Sequence, residues 1–324
     1  MDWSGTFFLP PCQNDAEILV VDCDRSSRNL LVGLAMQTGV SQGREMAMSD
    51  IIKGYEEDGY CFPVDVLDGG EVDEIAAAIS SARDAFAEDE RKLNAVTQYP
   101  HFLLPQVYDL TRHRRVIGPV SEILGEDLLV WGASLFIKPP HTNKIVSWHQ
   151  DLTYWDLDNS EETTCWVALS PVTEANGCMK FIPGSQRQRI LPHNDTFAED
   201  NMLSRGQEIA VEVDEHEAVN VELAPGQASY HHGHLFHGSG PNRSDIARVA
   251  IAIRYIRTSM KQASGERPAV VLASGVDRYG YFDQAVRPSG DLTDEDFERC
   301  FEDMRIKQKM LFKGVEEGRG ARYQ

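Results

Sequence analysis

His149 and Asp151 stand two apart in "SWHQDLTYW", residues 147–155, among Trp148, Tyr154 and Trp155. Side chains at i and i+2 leave a strand, or a strand end, on the same face. An imidazole and a carboxylate placed this way converge on one point and offer a metal two ligands. Further ligands must come from another part of the chain. The later candidates sit together in "YHHGHLFHGSGPNRSDIAR": His231, His232, His234 and His237. Two neutral imidazoles and one carboxylate on one face, with open positions opposite, suit Fe(II) and leave room for a bidentate co-substrate and O2. A lone His-x-Asp is ordinarily a surface or structural pair, and a histidine cluster is weak by itself. Their occurrence together, on a chain that otherwise reads as β, carries the weight.

The composition sets the frame for such a site. The 324 residues are long for one domain, yet β sandwiches and barrels run past 200 as single units. A hydrophobic content of 42% and a charged content of 25% are those of a globular chain with a sizeable core. The formal charge is 31 − 51 = −20, which opposes nucleic acid and anionic membranes and favours a small-molecule partner. Six cysteines at 12, 23, 61, 165, 178 and 300 form no CxxC and no short framework, so free thiols and a cytoplasmic, reducing location are expected. No Lys or Arg falls in the first twenty residues, and no apolar run reaches a membrane-spanning length.

The elements that position the site read as follows. Residues 1–48 form an N-terminal extension of uncertain role. Its "ILVVDCD" and the segment after it predict a strand and a helix, but by Ser49 the pattern has changed. "SDIIKGYEEDGYCF" predicts a capped short helix ending at a turn on Gly59. Val72, Ile75, Ile79, Ala82 and Phe86 recur at helical steps. From about 128 the chain turns strand-like. "DLLVWGASLFI", "TCWVALSPV", "CMKFIPGS", "AVNVELAPG" and "ARVAIAIRYI" are short runs punctuated by Pro-Pro, Asn-Gly and Pro-Gly, the pattern of a sandwich or barrel. A last helix is predicted in 291–324, with Thr293 as N-cap, Asp296 three residues on, and Phe297, Phe301 and Met304 on its apolar face.

The segment from about 50 to 260 resembles the phytanoyl-CoA hydroxylase-like branch of the Fe(II)/2-oxoglutarate dioxygenases. The residues that carry the resemblance are "IKPP", "WHQD", "CWVALSPVTEANGCMKFIPGS", "PGQ" and "FHGSGPNRSDIARVAIAIRY", in the family's order. The resemblance implies a mainly β fold with flanking helices, a double-stranded β-helix of the jelly-roll or cupin type over 49–290. It assigns Fe(II) to His149, Asp151 and His237. The distal carboxylate of 2-oxoglutarate goes to Arg248, 248 − 237 = 11 residues beyond the last ligand, with Ser239 as a second hydrogen-bonding group. Trp166 would line the co-substrate site. Trp148, Tyr154, Trp155 and Phe236 would form an aromatic substrate wall, or simply core.

His231 and His232 stand as neighbours of the ligands, as substrate-facing groups or as structural residues, and His234 lies three residues off the register of His237. Where the family often places a histidine after "PGS", this chain has Gln186. The implied activity is hydroxylation of an unactivated C–H bond of a small metabolite or natural-product intermediate, with release of succinate and CO2. Desaturation or cyclisation on the same scaffold, and a non-redox metal-binding cupin-like protein, are the alternatives. Asp151 fills the ligand position that related halogenases leave to chloride.

Overall fold

A computed structural model describes residues 47–312 of the protein. Within this span the strands, in chain order, are β1 (Tyr60–Asp65), β2 (Leu128–Lys138), β3 (Val146–His149), β4 (Glu162–Ala168), β5 (Met179–Phe181), β6 (His193–Asp195) and β7 (Gln207–Ile209). They continue with β8 (Val219–Val221), β9 (Gln227–His231), β10 (His237–Ser239), β11 (Arg248–Arg257), β12 (Ala269–Ser274) and β13 (Asp283–Gln284). A major sheet has the order β1-β9-β4-β11-β2-β12-β13 and a minor sheet the order β3-β10-β5-β8. Pairing is antiparallel except between β12 and β13, and β6–β7 form a separate ribbon. The strand patterns allow a sandwich or a barrel; the sheets are open and form no closed barrel.

The major sheet buries both faces, and the period-two alternation separates them. Cys165, Val167, Ala228, Tyr230, Leu135, Ile251, Ile253 and Tyr255 point outward into the main core with the helices. Their neighbours Trp166, Ala168, Ala250 and Ala252 point inward and pack with Met179, Phe181 and Val221 of the minor sheet. The inner faces therefore meet as a jelly roll does, with the functional residues between them.

The helices that cover the outer face are α1 (Met48–Asp58), α2 (Gly69–Ala85), α3 (Glu90–Gln98), α4 (Pro100–Leu103), α5 (Pro105–Leu110), α6 (Arg114–Leu124) and α7 (Asp294–Leu311). α2 buries Val72, Ile75, Ile79 and Ala82, the face expected from their spacing, while Phe86 falls just past its last turn. α1 begins one residue before Ser49, and Ala47 at its N-cap offers no side-chain cap; it ends at Gly59, whose φ of 85° needs no Cβ. α7 has the expected capping box between Thr293 and Asp296, and its Phe297, Cys300, Phe301 and Met304 join the main core. α3 to α6 are not among the elements expected from the sequence; α4 and α5 are short and start on prolines. The strand–helix expectation in the N-terminal extension lies outside the described residues. Among the described residues, no helix is long and apolar enough to cross a membrane.

Candidate metal centre

β3 and β10 are neighbours in the minor sheet, and their register sets His149 directly opposite His237. The imidazole centroids lie 4.1 Å apart. Close approach of the two strands depends on Gly238, where a Cβ would come within 3.0 Å of the Val146 carbonyl oxygen. β3 ends at His149, and the chain turns into a short 3-10 segment, Asp151–Thr153, that swings Asp151 back toward both rings. Asp151 Oδ1 lies 3.3 Å from His149 Nε2 and 3.7 Å from His237 Nε2. Adjacent donors on a first-row metal with bonds near 2.1 Å stand roughly 3 Å apart, so the three atoms fit one face of a coordination sphere. Among the described residues this is the one group of three His, Cys, Asp or Glu donors so gathered, all within 4.8 Å.

The tautomers agree with that fit. Each imidazole places Nδ1 2.9 Å from a carbonyl two residues earlier: His149 on Ser147 and His237 on Leu235. A backbone carbonyl can only accept, so Nδ1 carries the proton and Nε2 presents its lone pair to the metal position. Burial, with His149 beside it, holds His237 well below the usual imidazole range and therefore neutral. Burial works against the charge of Asp151. His237, with His149 and His231 beside it, outweighs it and keeps the carboxyl well below the usual range.

Asp151 is held from behind by a chain of polar groups on the inner face of the major sheet. Thr164 Oγ1 lies 3.1 Å from Asp151 Oδ2 and 2.9 Å from Glu162 Oε1. A hydroxyl has one proton, so it donates to one of these oxygens and must accept from the other. Burial, then the charge of Asp151, pushes Glu162 well above the usual carboxyl range. Glu162 is thus the protonated partner: it donates to Thr164, which donates to Asp151. His231, 1% exposed, stands on the same side, with Nε2 3.8 Å from Asp151 Oδ2 and no hydrogen bond to either ring nitrogen. His232 and His234 form a separate pair, in which the His234 N–H donates to His232 Nδ1.

At the other end of the inner face Arg248 is 1% exposed and Lys138 is fully buried; the two are cross-strand partners on β11 and β2. Neither has a carboxylate of the described residues within ion-pair distance. Arg248 donates to the Gly177 carbonyl, its Nε has no partner, and its guanidinium carbon lies 5.4 Å from the centroid of the Trp166 ring. Lys138 Nζ donates to Ser239 Oγ at 2.7 Å and to the Ser239 and Gly240 carbonyls. Burial lowers both, Lys138 to about 6 with help from the charge of Arg248, and Arg248 to about 10. A buried guanidinium beside a buried amine, with no anion at hand, is costly, and a carboxylate ligand would offset that cost. Lys138, Thr164 and Glu162 were not singled out by the sequence. The lysine sits unremarked in "IKPP", and its pairing with Arg248 depends on strand register.

The remaining aromatic candidates separate. Trp155 is buried and stacks on Trp131 at 5.0 Å. Tyr154 donates its hydroxyl to Asp195 at 3.2 Å, under Arg205. Trp148 and Phe236 pack with Ile182 and Ile209 in a small cluster of their own. Each precedes a metal-facing histidine, so alternation turns each to the opposite side of its strand.

The comparisons with known proteins agree with this geometry. Residues 55–250 match the profile of the family described as phytanoyl-CoA dioxygenase (PhyH). A probable phytanoyl-CoA dioxygenase of Caenorhabditis elegans is 28% identical over 184 residues, 55% of this chain and 58% of that protein. A probable alpha-ketoglutarate-dependent hypophosphite dioxygenase of Stutzerimonas stutzeri is 28% identical over 167 residues, 51% of this chain and 57% of that protein. The chain thus matches a little over half the length of these relatives. The solved structure of a non-heme monooxygenase, ThoJ in its apo form, is 32% identical, with a TM-score of 0.73 over 81% of this chain and 97% of that one. With the profile spanning more than half its length, the chain belongs to the phytanoyl-CoA dioxygenase family.

Proposed function

We propose that this chain is a non-haem Fe(II)/2-oxoglutarate-dependent dioxygenase that hydroxylates an unactivated C–H bond of a small molecule, with release of succinate and CO2. The observation that carries the reading is the buried Lys138–Arg248 pair, which lacks an anion, on the inner face that also faces His149, Asp151 and His237. A metal-binding β protein without redox turnover has no use for two such buried basic groups. Fe(II) held by the three donors, with 2-oxoglutarate, supplies the oxidising power of O2 for C–H cleavage.

The chain's own residues have distinct tasks in this scheme. The Ser147 and Leu235 carbonyls fix the imidazole tautomers so that both Nε2 atoms face the metal. Thr164 occupies Asp151 Oδ2 and leaves Oδ1 as the single ligand oxygen. Arg248 and Lys138 take the distal carboxylate of the co-substrate, with Ser239 bridging to Lys138. Trp166 walls that end against water. Asp151 fills the ligand position that a halide would need, which favours oxygen over halogen in the product.

Anaerobic titration with Fe(II) and then 2-oxoglutarate tests the reading. A visible metal-to-ligand charge-transfer band should appear in the wild type and be lost in Arg248→Met at the same co-substrate concentration. Iron binding without that band, at saturating 2-oxoglutarate, would overturn it.

A further inference from the structure

β11 carries a second inward-facing arginine. Arg248, Ala250, Ala252 and Arg254 alternate with the outward Val249, Ile251 and Ile253, and Arg254 is the cross-strand partner of Thr164, the residue bonded to Asp151. Arg254 therefore lies at the metal end of the strand, about 20 Å from Arg248 by six steps of 3.3 Å. We propose that Arg254 anchors a carboxylate of the primary substrate beside the metal centre. This rests on the function proposed above and adds the chemical class of the substrate.

The first argument is the guanidinium's lack of partners. It makes one hydrogen bond, to Ser134 Oγ at 2.9 Å, and lies 5.5 Å from the centroid of the Trp155 ring. No carboxylate of the described residues stands within 4.0 Å of it. Five N–H donors in a fixed fork match a carboxylate in bidentate fashion, and one neutral hydroxyl leaves most of them free.

The second argument concerns the two acids in its vicinity, because neither is available to it. Asp151 gives one oxygen to the metal position and the other to Thr164. Glu162 is occupied as the donor to Thr164 and carries no charge. Neither acid of the described residues therefore forms an ion pair with the guanidinium.

The third argument is the surround. Trp155 lies stacked on Trp131, and Trp131 lies under the ammonium of Lys307, which is already paired with Asp303 at 2.9 Å. His101 on α4 is fully buried, has its ring 4.1 Å from that of Phe102, and feels the charges of Lys307 and Arg254. An indole wall beside a guanidinium with a single hydrogen bond suits a substrate with an apolar or aromatic body and a carboxylate. The charge of −20 on the whole chain gives such an anion no long-range attraction, so its recognition must come from this local fork.

The test uses the full-length protein loaded anaerobically with Fe(II) and saturating 2-oxoglutarate, which keeps Arg248 occupied. The probes are two isosteric pairs, phenylacetate with phenylacetamide and benzoate with benzamide. Binding is read by quenching of tryptophan fluorescence and by saturation-transfer NMR on the probe. In the wild type each acid should bind at least tenfold more tightly than its amide. Arg254→Met should erase that preference while iron content and 2-oxoglutarate affinity stay within twofold, and Arg254→Lys should retain part of it. Equal binding of acid and amide by the wild type overturns the proposal, as does an acid preference that survives in Arg254→Met. If Arg254→Met fails to fold, the wild-type acid–amide comparison and Arg254→Lys still decide. A wild type that shows no charge-transfer band removes the underlying function as well; a normal band with no acid preference removes this inference alone.

Discussion

Thr164 holds Asp151 by its second oxygen, at 3.1 Å, and is itself held by Glu162 at 2.9 Å. The direction of the two hydrogen bonds follows from a single hydroxyl proton. Thr164→Val removes the link and should weaken Fe(II) binding by about 10- to 100-fold, the usual cost of losing a group that orients a ligand. Glu162→Gln still offers an N–H to Thr164 and should keep iron affinity within about threefold, whereas Glu162→Leu should behave like Thr164→Val. Fe(II) titration of the three variants checks this. A loss in Glu162→Gln equal to that in Glu162→Leu would mean that Glu162 does not act as a donor.

The three-donor site makes a sharper contrast among the histidines. His149→Ala, Asp151→Ala and His237→Ala should each lose iron and turnover, while His234→Ala should keep both. Iron content after purification and dialysis is the measurement. Retention in His237→Ala with loss in His234→Ala would place the ligand three residues away from the proposed one.

Lys138 links co-substrate binding to a proton. Burial and Arg248 push its ammonium down to about 6, so at pH 7.5 the free protein holds it largely neutral. The distal carboxylate of 2-oxoglutarate favours the charged form, and binding should take up a proton. The uptake is largest between about 6 and the ordinary lysine range, and it fades as pH falls below 6, where the proton is already present. Calorimetry in two buffers of different ionisation enthalpy measures it. Uptake in the wild type at pH 7.5 should vanish in Lys138→Met, and a buffer-independent wild-type enthalpy would exclude the coupling. Arg248→Met should weaken 2-oxoglutarate by about 2–5 kcal/mol, the range for truncating one partner of a buried charge pair.

On α7, the Thr293–Asp296 capping box satisfies the first turn of a helix whose Phe297 and Phe301 lie in the main core. Thr293→Ala should cost about 1 kcal/mol of stability and leave iron affinity unchanged. Urea denaturation followed by far-UV circular dichroism checks it; a midpoint equal to wild type would mean that the cap contributes nothing.

Much of this site is legible in the sequence because its strongest signals are local. His149 and Asp151 lie two apart, and His237 and Arg248 lie eleven apart around "GSGPNRSDIA". The rest depends on which strands become neighbours. Lys138 meets Arg248 through the β2–β11 register, and Thr164 reaches Asp151 from the opposite sheet. No spacing along the chain encodes either contact. The aromatics mark the limit of proximity in sequence: Trp148 and Phe236 adjoin metal-facing histidines, yet the pleat turns them away. Trp155, farther along the chain from His149, lies close to Arg254. Helices α4 and α5, of four and six residues, are too short to develop a clear 3.6-residue pattern.

β11 also acts as a ruler. Co-substrate end and metal end are marked on one strand by Arg248 and Arg254, paired on both sides by β2 and β4 and backed by buried Ile251 and Ile253. No hinge lies between the two marks, so their separation is a constant of the sheet rather than a setting of a loop. Removing one residue between them would not shorten the scale by a notch. It would turn one of the two arginines through the sheet into the helix-covered core. Molecules of other lengths must therefore be accommodated by changing which side chains stand at the marks, and the distance itself is closed to gradual adjustment.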